Sequence, residues 1–144
     1  MNYQLRPATW EDFEAIDLLY TANMKPYVEE VATWDPTLLR KVYETELLKV
    51  IEVNGELAGI TKLVENEDHF YLAEIQLKFE YRNLGIGSRI LVAAQSQSRK
   101  RSKKLILKVV KGNPAQQWYE KRGFEVFDQT DTAVMMQWLP SDIG

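Results

Sequence analysis

The stretch best suited to chemistry is Arg82-Asn83-Leu84-Gly85-Ile86-Gly87-Ser88-Arg89. It follows a strand-like run and opens a segment of helical periodicity. Gly85 and Gly87 let a ligand approach the main chain, and the first-turn N–H groups of a helix have no intrahelical partner, so the stretch reads as a cradle for phosphate or pyrophosphate. Two phosphate loops are excluded. A Walker loop needs Gly-x-x-x-x-Gly-Lys-Ser/Thr, and no such run exists. The dinucleotide fingerprint needs a small residue where Ile90 stands and an acidic residue about 20 positions on, where the chain is the apolar run 105–110.

The elements around this loop follow from periodicity. Residues 2–6 alternate weakly and read as a first strand. Thr9 is a helix N-cap ahead of Glu11 and Asp12, and Phe13, Ile16, Leu19 and Tyr20 give residues 10–23 one apolar face. Pro26 interrupts, leaving residues 27–31 as a short helical turn. Asp35 as N-cap and Pro36 at the first helical position begin a second helix, with Leu39, Val42 and Tyr43 on its apolar side. Asn54-Gly55 tolerates the positive φ angles of a type I′ turn and joins strands 48–53 and 56–63 as a hairpin. Residues 70–79 form a long strand with Ala73, Ile75, Leu77 and Phe79 on one face and Glu74, Gln76 and Lys78 on the other. Residues 86–100 are helical, 105–110 a strand buried on both faces, and 113–122 a short helix stopped by Gly123. Strands at 124–127 and 132–138 close the chain. This order predicts an α/β sandwich with a mixed sheet of about seven strands.

Composition narrows the chemistry. The 144 residues predict a single domain, 1–144, and 45% hydrophobic with 27% charged residues is ordinary globular usage. Without cysteine there is no disulfide, thiolate metal site or cysteine nucleophile, and one histidine, His69, cannot make a multi-histidine centre, so no metal site is expected. A net charge of −3 disfavours non-specific nucleic-acid binding. The basic run Arg99-Lys100-Arg101-Ser102-Lys103-Lys104 reads as a solvated helix end. No run is long and apolar enough to predict a membrane span or signal peptide, so the expected setting is cytoplasmic, without membrane attachment.

The loop Arg82-Asn83-Leu84-Gly85-Ile86-Gly87 resembles the acetyl-CoA signature Arg/Gln-x-x-Gly-x-Gly/Ala of the GCN5-related N-acetyltransferase family. A second family motif resembles Asn113-Pro114-Ala115-Gln116-Gln117-Trp118-Tyr119-Glu120-Lys121-Arg122-Gly123-Phe124, in the family's order with a strand between the two. The resemblance implies a GNAT-type α/β sandwich, its mixed, mostly antiparallel seven-stranded sheet flanked by helices, and direct acyl transfer from acetyl-CoA to a primary amine. It places the pyrophosphate on main-chain N–H groups of Asn83, Leu84, Gly85, Ile86, Gly87 and Ser88 beside Arg82. The pantetheine arm would lie along Ile75, Gln76 and Leu77, and Asn113 would hydrogen-bond that arm or the cofactor's end. A main-chain N–H near Leu77 would hold the oxyanion, and Tyr119 would protonate the departing thiolate, for which a phenol is an acid of comparable strength.

Glu74 stands on the strand beside the expected thioester and is a candidate general base or substrate-orienting group. The family builds its acceptor pocket between the first two helices, where this chain carries Tyr27, Glu29, Glu30, Trp34 and Asp35. Aromatic walls with carboxylates suit an amine near Tyr27, Glu30 and Trp34; the same residues would serve a surface loop pinned by Trp34. Two departures stand out: Phe79 replaces a usual proline, and Leu84 a usual polar or basic residue. The expectation is an acetyltransferase for a small amine, as monomer or homodimer. Its alternatives are a protein N-terminal or lysine acetyltransferase and a non-catalytic acyl-CoA sensor.

Overall fold

Asn54 and Gly55 take φ angles of 53° and 80°, so the chain reverses in two residues and joins β2 (Leu48–Val53) to β3 (Glu56–Glu65) as an antiparallel hairpin. The computed structural model describes residues 1–140. β1 (Gln4–Pro7) pairs antiparallel with β2, and β4 (His69–Leu77) with β3. β5 (Lys104–Val110) runs parallel to β4, and β7 (Ala133–Trp138) lies antiparallel between β5 and β6 (Glu125–Gln129). The sheet order is β1-β2-β3-β4-β5-β7-β6, with β4–β5 its single parallel pair, so the expected mixed and mostly antiparallel seven-stranded sheet is found.

Helices cover both faces. α1 (Phe13–Val28) and α2 (Leu38–Val42) enclose Phe13, Ile16, Leu19, Leu39, Leu48, Val50 and Ile60. On the other face α3 (Ile86–Arg101) packs Ile86 and Ile90 onto Ile51, Val53 and Ala58, and Leu91 and Ala94 onto Phe70, Leu72 and Leu105. α4 (Ala115–Glu120) adds Tyr119 to that second core. Each fully buried aliphatic side chain contributes roughly 1.5–3 kcal/mol.

The first two helices and the end of β4, which stops at Leu77 short of Phe79, differ from the sequence reading. A one-turn 3-10 helix, Trp10–Asp12, precedes α1, which then continues through Pro26 to Val28. The missing N–H of Pro26 falls in the last turn, where little of the helix remains to be disrupted. Asp35 does not begin a helix directly: its carboxylate accepts from the Thr37 N–H at 2.9 Å and hydroxyl at 2.7 Å, and α2 starts at Leu38. The basic run is a helix end, as expected, closed by left-handed Ser102, with Arg101 and Lys103 paired to Glu65. No helix among the described residues is long and apolar enough to cross a membrane.

Candidate active site

β4 and β5 pair only from His69 opposite Lys104 to Tyr71 opposite Ile106, and beyond that the two parallel strands diverge. A cavity of about 650 Å³ opens between residues 72–77 and 107–110, roofed by Tyr20, Asn23, Met24 and Tyr27 of α1 and bounded by Trp118 and Tyr119 of α4. The local cause is a bulge. Leu63 opposes Leu72 and Lys62 opposes Glu74, which leaves Ala73 unpaired on β4.

The bulge takes Ala73 out of the expected alternation, which holds from Glu74 to Leu77. Phe70 and Leu72 belong to the core under α3, and after Ala73 the same face is continued by Ile75 and Leu77. Glu74 and Gln76 are thereby turned toward α1, where Gln76 Nε2 lies 3.3 Å from both Glu74 Oε1 and Met24 Sδ. Phe79 is not on the strand; it begins a 3-10 turn and is 81% exposed.

Main-chain hydrogen bonding sets which groups face the gap. Lys78 N–H donates to Ala58 O at 2.8 Å, so Gly59 and Leu77 are a non-hydrogen-bonded pair. The Leu77 N–H and, two residues earlier, the Ile75 N–H and C=O therefore point away from β3, toward the space that β5 has left. The Leu77 carbonyl accepts from Asn23 Nδ2 at 3.1 Å and from the Arg82 guanidinium at 3.4 Å, and Arg82 Nη2 donates to Asn23 Oδ1 at 2.8 Å.

The glycine loop lies at the end of this gap. Asn83 and Gly85 have φ of 62° and 85°, and Gly85 caps α3, leaving the N–H groups of the first turn without intrahelical acceptors. A depression beside it is lined by Leu77, Arg82, Asn83, Gly85, Gly87, Ser88, Trp118 and Arg122. Arg122 stacks over Trp118, its guanidinium carbon 3.8 Å from the ring centroid, and donates to Ser88 Oγ at 3.2 Å. Leu84 lies outside that lining, and the Ile86 side chain is fully buried beneath the helix, so of Ile86 only main chain can meet a ligand.

Burial governs the site's titratable groups. It pushes the Glu74 carboxyl up to about 7, against the opposing pull of the Gln76 hydrogen bond and the Lys62 and Lys108 ammoniums. Burial, reinforced by the Glu74 charge, pushes the Tyr119 phenol far above its ordinary value and Tyr20 up to about 12. Tyr119 packs edge-on against Trp118 and Phe124, at 5.1 and 5.5 Å between centroids. Its hydroxyl has no protein partner among the described residues and is not sealed off, which leaves it to the cavity. Asn113 spends its side-chain oxygen on the Ala115 N–H at 2.9 Å, at the start of α4, and keeps its amide donors at the cavity wall.

Of the residues expected around an acceptor, Tyr27 lines the cavity. Trp34 packs on Tyr20 at 5.8 Å, and Glu30 lies against Gly112, outside the lining. Sequence reasoning missed Asn23, Lys62, Lys108, Trp118 and Arg122. Asn23 had a readable signal: positions 13, 16, 20, 23 and 27 form one helical stripe, and an amide in such a stripe is out of place unless it bonds something. Arg122 carried none.

The acetyltransferase (GNAT) domain model matches residues 44–126, more than half of the chain. No curated protein sequence matches this one. Among solved structures, the fold is similar to PaiA N-acetyltransferase from Thermoplasma acidophilum in complex with coenzyme A, with a TM-score of 0.77 and 21% identity over 96% of this chain and 99% of that one. It is also similar to the ribosomal-protein-S18-alanine N-acetyltransferase from Escherichia coli, with a TM-score of 0.71 and 20% identity over 99% of this chain and 97% of that one. At these identities the likeness is one of fold.

Proposed function

We propose, from the premise that this chain belongs to the acetyltransferase (GNAT) domain family, that it transfers an acetyl group from acetyl-CoA directly to a primary amine of a small molecule, within one domain. The observation that carries this reading is the divergence of β4 and β5, which brings the Leu77 N–H, Glu74 and Tyr119 to one cavity at the mouth of the glycine loop.

The residues present fit coenzyme A. A Cβ on Gly87 would project between Leu77 Cδ1 and Trp118, 3.7 and 3.9 Å away, so the glycine keeps that groove open. Free N–H groups from Gly85 to Ser88, with the Arg122 guanidinium beside them, suit a pyrophosphate. Ile75 and Leu77 offer unpaired main-chain groups to the amides of a pantetheine arm, as a strand would, and Asn113 offers its side-chain amide.

Acetyl-CoA supplies an activated thioester carbonyl. The Leu77 N–H donates to the carbonyl oxygen as it gains charge. Glu74, with a carboxyl near 7, takes the proton that the attacking amine must lose. A nitrogen–carbon bond forms, the carbon–sulfur bond breaks with its pair going to sulfur, and the Tyr119 hydroxyl returns a proton to that sulfur. The two groups are coupled. Burial and then the Glu74 charge hold the Tyr119 proton on, and once Glu74 is neutralised the second of these restraints is gone, so base action makes Tyr119 a better acid.

Free-thiol release from acetyl-CoA, measured against a panel of amines and peptides beside Tyr119→Phe, tests the proposal. Amine-dependent release that falls about 10²–10⁴-fold in kcat in the variant, with CoA binding retained, is expected. Tight CoA binding with no release for any acceptor would make the chain an acyl-CoA sensor instead.

A further inference from the structure

The charged groups lining the main cavity are Glu44, Lys62, Glu74, Arg82 and Lys108. Arg82 is committed to Asn23 and the Leu77 carbonyl. Glu44 and Lys62 answer each other at 2.7 Å across the α2 side of the opening. Two groups are left for an acceptor: Glu74 at the floor, and Lys108, exposed on β5, which has no carboxylate partner among the described residues. Lys62 stands opposite Glu74 on β3, and Lys62, Glu74 and Lys108 line the same cavity, so both ammoniums border the space an acceptor would enter.

This arrangement is wrong for a diamine. Its reacting nitrogen would meet Glu74, but its second ammonium would meet Lys108 with the other carboxylate of the lining, Glu44, already paired. It is right for an amine that carries its own negative charge. The remaining wall, Tyr20, Met24, Tyr27, Leu39 and Val42, is aromatic and apolar and has room for a modest side chain.

Resting on the acetyl-transfer reading of the same site, we propose that the acceptor is a free amino acid, its amine directed to Glu74 and its carboxylate paired with Lys108. Lys108 then selects the substrate without touching the reacting atoms.

Calorimetric titration of the protein–CoA complex tests this with leucine, methionine and γ-aminobutyrate, each against its own carboxamide, and with putrescine as a diamine. Each acid is expected to bind roughly ten-fold tighter than its amide, a gap typical of one charge pairing at a partly exposed site. Lys108→Gln, an exposed position where folding is not at stake, is expected to abolish that gap, and Lys108→Glu to turn preference toward putrescine. Equal binding of acid and amide, tighter binding of putrescine by the unaltered protein, or no binding of any acid at millimolar concentration would overturn the proposal. Thiol release on the same panel separates the two readings. Acids that bind with the charge preference but release no thiol sink acetyl transfer and leave the pocket's selectivity standing. Release driven by putrescine or peptide amines and not by acids sinks the amino-acid assignment and leaves acetyl transfer standing.

Discussion

The side-chain amide of Asn23 donates to the main-chain carbonyl of Leu77 at 3.1 Å, tying the first helix to the end of the strand whose N–H groups face the cavity. The same nitrogen lies 3.1 Å from Gln76 Oε1, and the Asn23 oxygen accepts from Arg82 at 2.8 Å. One half-buried side chain thus holds α1, β4 and the segment leading to the glycine loop in a single register, which keeps the α1 wall of the cavity aligned with the glycine loop.

Asn23→Ala should therefore loosen the strand end without removing any reacting group. Lost hydrogen bonds of this kind cost about 1 kcal/mol each in stability. Steady-state kinetics should show kcat lowered by roughly ten-fold with the KM for acetyl-CoA changed much less, because only the alignment of the carbonyl with the Leu77 N–H is disturbed. A variant with unchanged kcat would remove Asn23 from the site's architecture.

Glu74 should govern both rate and stability as pH changes. As a base it is active only when ionised, so kcat should fall as pH drops through about 7, and Glu74→Gln should lose activity together with that limb. The stability effect has the opposite sense. The folded state raises this carboxyl from 4.5 to about 7, so its stabilising contribution is complete below about 4.5 and is lost as pH rises through about 7. Chemical denaturation near pH 8 should find Glu74→Gln more stable than the parent by ~1–3 kcal/mol, with the gap closing toward pH 5.

Gly87→Trp should block coenzyme A while leaving the fold intact. A side chain there enters the groove between Leu77 and Trp118 rather than the core. Calorimetry should show CoA affinity reduced by about 10²-fold or more, with an unfolding midpoint close to that of the parent. Unchanged CoA binding would displace the pyrophosphate from this helix end.

Gly59→Ala, far milder in size, should be the more damaging substitution. A Cβ at this position would fall 2.1 Å from the main-chain oxygen of Gln76, and main chain cannot step aside as a side-chain tip can. Urea denaturation should show a loss of roughly 2–4 kcal/mol. Turnover should fall with it, since the Gln76–Leu77 peptide carries the N–H that faces the cavity.

What the chain determined by itself was local. Asn54-Gly55 specifies its turn, Gly85 its helix cap and Gly123 the end of α4, because each depends on φ angles that few residues tolerate and that neighbours in sequence impose. The glycine loop and the Asn113-to-Phe124 stretch were legible through their resemblance to the family's motifs, and the two-residue period of a strand separated Glu74 from Ile75 and Leu77. Pro26 within α1 and the delayed start of α2 were misread because tertiary packing extends or trims a helix end at a cost of one hydrogen bond or less. The bulge at Ala73, the parting of β4 from β5, the Asn23–Leu77 tie and the stacking of Arg122 on Trp118 beside Ser88 left no local trace. Nor did the raised carboxyl of Glu74, which exists only because α1 and α4 close over it and remove it from water. Register between distant strands and the solvation of a group are properties of the packed whole, and only the tertiary structure could decide them.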